Sequence, residues 1–194
     1  MGEAGRKREQ LRQRQRQQCL RELNHLEAPE GDGEVETYYE VQSIPAVRVP
    51  RHRLDLLAEM GMMPNECHVN AYAAAQQNDT VRIVTGWWCD TPIPRLHSII
   101  DQTQNGGLVC ITPGPIEILT FRPDPFVEVR PDGNHQRKGS KAPTLLRSDP
   151  KLTIQLANEA RGILDRGGEV EDIPLDLLYA LGMLWEVPKR ATHP

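Results

Sequence analysis

Pro64-Asn65-Glu66-Cys67-His68-Val69-Asn70-Ala71 puts a cysteine where a helix should begin. Pro64 sets a turn, Asn65 is a good N-cap, and Glu66 and Cys67 fall in the first turn. A thiol there faces unpaired backbone N–H groups and the positive end of the helix dipole, and both stabilise a thiolate. Working outward, Glu66 to about Gln77 reads as helix. Cys67, Asn70, Ala71 and Ala74 share a face by i+3/i+4 spacing, and Asn78-Asp79 ends the helix. Thr80 to Trp88 reads as a strand from its β-branched and aromatic residues. Arg95 to Asp101 and Leu108 to Thr112 are two more, and His97 lies on the first of these. The fold class expected is α+β, with the Cys67 helix packed on a small antiparallel sheet.

Asn105-Gly106 lies between those two strands and signals a type I′ hairpin turn, which needs positive φ at both central residues. As a two-residue turn it pairs Gln104 with Gly107, so Asp101 faces Cys110 and Ile99 faces Thr112. Side chains alternate with period two, so His97, Ile99 and Asp101 share a face with Cys110 and Thr112. Asp101 is four residues from His97, roughly 13 Å at the usual strand rise, too far to orient the imidazole. Any group that orients His97 therefore falls near Cys110 or Thr112.

The remaining chain divides around this core. Residues 1–28 carry Arg6, Lys7, Arg8, Arg12, Arg14, Arg16 and Arg21 among many Gln, with Leu11, Leu20, Leu23 and Leu26 as a sparse apolar stripe. They read as a basic helix, marginal alone, offering a surface to a partner protein or RNA, or else a solvated arm. Residues 29–37 are an acidic linker, so 1–37 form an arm outside the 38–130 core. Tyr38 to Val49 reads as extended, and Arg53 to Met60 as a short helix stopped at Gly61. Ile116 to Phe121 and Phe126 to Val129 are further strands. Residues 131–148 are a polar, basic loop. Residues 149–194 hold two helices, 149–165 and 173–185, expected to pack on the core.

Composition narrows the function classes. The chain has 194 residues, 38% hydrophobic and 5% aromatic, with 16 prolines and a net charge of −4; mean hydropathy is −0.55. Length suits one domain with tails. The overall charge gives no pull toward nucleic acid or anionic membrane. Cys19, Cys67, Cys89 and Cys110 form no CxxC pair, which points to a reducing, cytoplasmic setting. No apolar run approaches the roughly 18 residues of a membrane helix, and no signal-peptide core is present.

A Cys at a helix N-terminus with a His on a neighbouring strand suits nucleophilic acyl transfer. The plain alternative is that Cys67 is a small buried hydrophobe. Glu66-Cys67-His68-Val69-Asn70-Ala71, Val84-Thr85-Gly86-Trp87, His97-Ser98 and Gly107 to Pro113 together resemble a group of small bacterial and phage proteins. Their pattern runs C-H-x-N, G-W, H-S, G-x-L-x-D-[IV]-T-P. That group is similar to papain-like and NlpC-like thiol hydrolases. The resemblance covers about residues 64–125. It implies a papain-like fold, Cys67 as nucleophile, His97 as general base, Asn70 lining the site, and a peptide or protein substrate cleaved or transferred at an amide bond. The pattern's Asp is Cys110 here, and losing that orienting group lowers thiol activation. Trp87 and Trp88 are candidate walls of a substrate groove, and Thr112 lines the site beside Cys110. Two other classes stay open. One is a zinc site among Cys67, His68, Cys89, His97 and Cys110, although their spacings match no common finger. The other is a hydrolase-like fold that binds protein or nucleic acid without catalysis. No cofactor or resident metal is expected.

Overall fold

Strand order and chain direction explain how the core closes. The computed structural model describes residues 2–102, 107–130, 134–141 and 143–183. Five strands form one sheet in the order β1 (Val47–Pro50), β5 (Ile118–Pro123), β2 (Val81–Trp88), β3 (Arg95–Gln102) and β4 (Gly107–Val109). Every neighbouring pair is antiparallel. Four reversals bring β4 back to the direction of β1, so the sheet can close only through a parallel junction. It does so just past β4. Arg51 and Cys110 form a parallel bridge, Cys110 N donates to Pro50 O at 2.9 Å, and His52 N donates to Cys110 O at 2.9 Å. The result is a small closed barrel.

Its interior holds Val49, Ile99, Cys110, Leu119 and Phe121, with Trp88 packed against them. At Gly86 a side chain would collide with the Arg122 carbonyl and the Phe121 ring, so only glycine lets β5 cross there. The outer face carries helices. From α3 (Leu54–Glu59) and α4 (Cys67–Gln77), Leu57, Ala71 and Ala74 pack on Ile100 and Ile111. The spacing that predicts α4 is obeyed, since its buried face is Cys67, Asn70, Ala71 and Ala74.

Several expectations need correction, three of them within the first sheet and its flanking helices. Tyr38 to Val49 is not one extended segment, and the acidic linker does not run to residue 37. Glu34–Ser43 is a helix, α2. Gly33 starts it at φ 69°, and buried Glu34 accepts from Arg147 N, Nε and Nη2 at 3.0, 2.7 and 2.7 Å. Val41 then packs with Trp87, Leu96 and Leu146, and only β1 is extended. The β-branched content misled because an ion pair 113 residues away decides the segment. Second, Asn65 is not the N-cap. It sits at φ 62° in the turn before Glu66, a conformation Asn tolerates better than most residues. Third, β3 and β4 pair Gln102 with Gly107 and Asp101 with Leu108, two residues away from the expected register. A slip of two leaves every side chain on its face. The Asn105-Gly106 turn itself lies outside the described residues.

Part of the stretch read as a polar loop, 131–148, is instead β7 (His135–Arg137) and β8 (Ser140–Lys141), which join β6 (Val127–Val129), within the expected strand Phe126 to Val129, in a second sheet after Asp124. Lys138 at φ 50° and Gly139 at φ 83° turn β7 into β8, the sign pattern of a type I′ hairpin. Buried Asp124 anchors this sheet, accepting from Trp87 Nε1 at 2.9 Å, Arg137 Nε at 2.7 Å and Phe126 N at 3.0 Å.

Contacts divide the chain into two compact units, residues 33–148 and residues 1–32 with 149–194. The second unit contains α1 (Glu3–Leu26), α5 (Pro150–Asp165), a 3₁₀ turn at Val170–Asp172, and α6 (Leu175–Ala180). The C-terminal helices were expected on the core; the structure groups them with α1 instead. Cys19, Leu23 and Leu26 of α1 and Ala157, Ala160 and Leu164 of α5 form their buried faces. Arg16 Nη2 donates to Leu164 O at 2.8 Å, and Arg161 Nη2 donates to Asn24 Oδ1 at 2.7 Å. Asp149 caps α5 by accepting from Leu152 N at 3.0 Å. Among the described residues no helix is long and apolar enough to cross a membrane.

Candidate functional site

Helix α4 begins at Cys67 and meets β3 at Ser98. Cys67 is 8% exposed. The backbone N–H groups of Ser98, His68 and Cys67 favour its thiolate. Burial outweighs them and pushes the thiol up to about 11. The helix start thus supplies the donors that the sequence suggests, but it also removes water, and desolvation wins.

His68 occupies the next helical position and reaches over β3. Its Nδ1 lies 2.7 Å from Ser98 Oγ. Burial, then the neighbouring His135, pushes His68 down to about 4. Ser98 therefore meets both residues of the Cys67-His68 pair, one through its amide and one through its hydroxyl. Sequence reasoning missed the His68–Ser98 pair. Period two predicts it, because Ser98 must face opposite to His97.

His97 points into the barrel and is 7% exposed. Its Nε2 lies 3.3 Å from Cys110 Sγ, and its ring centroid is 6.3 Å from that of Trp88 and 6.4 Å from that of Phe121. Burial, followed by like-charge interaction with His68 and Arg51, pushes His97 down to about 3. Both His97 and Cys67 are therefore neutral at pH 7. Cys110 Sγ is also 3.8 Å from Thr112 O, the acceptor of its thiol proton. Cys110 thus stands beside the imidazole, on the His97 face. Among the described residues Cys67 makes no side-chain hydrogen bond to His97, so Cys67, Ser98 and His68 form one set of contacts, and His97 and Cys110 another.

Asn70 links these sets but has no spare donor for a substrate. Its Nδ2 donates to Met63 O at 2.8 Å and toward Thr112 Oγ1 at 3.4 Å, while Oδ1 accepts from Met63 N at 3.0 Å. This pinning of Met63 positions the turn before Cys67. Trp87 and Trp88 face opposite ways. Trp87 is wholly buried beneath the helices with its indole on Asp124, so it walls no groove. Trp88 shares the His97 face and donates from Nε1 to Asp90 Oδ2 at 2.6 Å. Arg51 comes from the barrel seam, donates to Ile116 O at 2.5 Å, and covers Gly114. Nothing in its local sequence signals that placement, which depends on barrel closure. No trio of His, Cys, Asp or Glu among the described residues is placed to hold a metal ion.

Compared with family models, curated proteins and solved structures, the chain matches none of them.

Proposed function

We propose that this chain is a cysteine-dependent hydrolase or acyltransferase acting on an amide bond of a peptide or protein, with Cys67 as nucleophile and His97 as base. The observation that carries this reading is the 3.3 Å approach of Cys110 Sγ to His97 Nε2, in the slot where an orienting group belongs. In it, the thiol proton of Cys110 goes to Thr112 O, and Sγ accepts the His97 Nε2–H. That tautomer leaves Nδ1 as the basic nitrogen. Because thiol and imidazole are both neutral, the mechanism is general-base attack rather than attack by a preformed thiolate. His97 takes the Cys67 proton as sulfur bonds to the carbonyl carbon. Substrate binding must first bring Nδ1 and the thiol into contact. Backbone N–H groups at the start of α4 receive the oxyanion. The imidazolium then protonates the departing amine, leaving an acyl-enzyme. Water attacks it in hydrolysis and an amine in transfer, and His97 accepts the attacking group's proton. The papain-like arrangement, bacterial or phage origin and cytoplasmic setting belong to this same reading. The four free cysteines support the last of these.

A second reading is favoured by the pKa directions. Burial opposes charge on both Cys67 and His97, as expected of a hydrolase-like scaffold that holds a peptide without cutting it. A fluorogenic peptide-amide library separates the two. Turnover that disappears in Cys67→Ala and falls in His97→Gln, with melting unchanged, supports the enzyme. Turnover retained in Cys67→Ala rejects Cys67 as nucleophile. Peptides held equally by wild type and Cys67→Ala, with no acyl-enzyme by mass spectrometry, select the binding module.

A further inference from the structure

Helix α1 is packed at one end only. Its buried residues, Cys19, Leu23 and Leu26, all lie in the C-terminal part. Residues 3–16 contain Arg6, Lys7, Arg8, Arg12, Arg14 and Arg16 against Glu3 and Glu9, a net +4 in a chain of net −4. Arg16 turns back to Leu164 O, and Lys7 pairs with Glu3 at 2.7 Å. Arg6, Arg8, Arg12 and Arg14 are exposed and have no ion pair or hydrogen bond among the described residues.

Successive helical residues turn by about 100°, which sorts these side chains into two flanks. Lys7 and Arg14 lie on one, and Arg8 and Arg12 on the other. Leu11, 56% exposed, and Gln15 occupy the strip between them. Arg6 and Glu9 lie on the far side. Cations on both flanks of a narrow strip fit a helix lying between two phosphate strands. The B-DNA major groove admits an α-helix, whereas the A-form RNA major groove is deep and narrow. Arg pairs with phosphate in two-pronged fashion, and Gln and apolar side chains suit adenine and the thymine methyl on the groove floor. A membrane-surface helix needs a broad apolar face, and a peptide docking in a protein groove needs apolar anchors at helical spacing. In residues 3–16 Leu11 is the sole bulky apolar side chain.

We propose that the N-terminal half of α1 is a DNA-binding element that lies in the major groove and is held mainly by phosphate contacts from Lys7, Arg8, Arg12 and Arg14. This inference is independent of any chemistry at Cys67.

The test is fluorescence anisotropy of the full chain with a labelled DNA duplex of about two helical turns. Binding should weaken steeply between about 50 and 200 mM salt, with a log–log slope of about −4 for about four phosphates neutralised. The triple variant Arg8→Gln, Arg12→Gln, Arg14→Gln removes no buried group. It should bind at least tenfold more weakly and lose about 3 from the slope, with an unchanged melting curve. No wild-type binding at the lowest salt, or an unaltered slope in the variant, overturns the proposal. Equal or tighter binding to an RNA duplex, to poly-glutamate or to phosphatidylserine vesicles also overturns it, because each removes the groove argument.

Discussion

At the end of β5, Asp124 is 1% exposed and has a full set of partners in Arg137, the Trp87 indole and an amide. At the head of α4 and inside the barrel, Cys67 and His97 are nearly as buried, yet neither faces an opposite charge. The charges felt by His97, from His68 and Arg51, have the sign of its own imidazolium. One region thus buries an ion pair with its hydrogen bonds satisfied; the other buries groups that stay neutral. The difference shows that this protein can keep charge inside where it supplies partners, and supplies none at the candidate site. Reactivity there must come from what a substrate brings or from a proton moving during the reaction.

The largest test of this contrast is Asp124→Ala. It leaves Arg137 Nε and the Trp87 N–H without an acceptor, Glu40 alone still pairing with Arg137 Nη1 at 2.7 Å, and should cost about 3–5 kcal/mol in urea denaturation. Cys110→Ala removes a thiol from the other region and should cost well under half as much. Equal costs would erase the distinction.

Acid gives the next largest effect. His97 is held at about 3 in the folded chain, against an ordinary value of 6.5. Above pH 6.5 neither state binds the proton and stability is unaffected. As pH falls below 6.5 the unfolded chain takes the proton and the folded chain does not, so stability is lost progressively down to pH 3. Between pH 7 and 4 this amounts to about 3 kcal/mol. The pH dependence of denaturation in wild type and His97→Gln isolates it from the carboxylates, and parallel curves would show that His97 is not held neutral.

Cys110→Asp places a carboxylate beside Nε2. If it stays unpaired it costs about 1–3 kcal/mol; paired with His97, it raises the imidazole and lowers the Cys67 thiol. The pH profile of Cys67 alkylation by iodoacetamide should shift to lower pH in the variant. A folded variant with the wild-type profile would make Cys110 ordinary barrel core.

The smallest effect is at alkaline pH. Cys67 keeps its proton to about 11 in the folded chain, whereas a free thiol loses it near 9.0. The unfolded state is therefore favoured as pH rises past 9, by about 1 kcal/mol at pH 10. Cys89, also pushed up to about 11 by burial, adds to the wild-type loss, so the difference between wild type and Cys67→Ser is the quantity to measure. No difference would place Cys67 in water.

Local pattern made α4, β2, β3 and most of β5 legible, and also the alternation that puts Cys110 with His97. The shared face survived a two-residue register change because side chains repeat every two residues. What the pattern could not carry was the thiol's ionisation. Asn65 and the first turn read as an activating environment, while burial, a property of the whole unit, reversed the balance. Asn70 is similar: its spacing puts it on the site face, but its amide is spent on Met63 and Thr112.

By itself the sequence determined which segments alternate, which face of α4 is apolar, and that the cations of residues 3–16 outnumber the anions, because these depend on neighbours a few positions apart. Only the tertiary structure decided that α2 is helical, through Glu34 and Arg147, and that Trp87 is core while Trp88 faces His97. It alone closed the barrel at Arg51 and Cys110, which buries His97. Each of these depends on partners distant in the chain, and on how much water their meeting excludes.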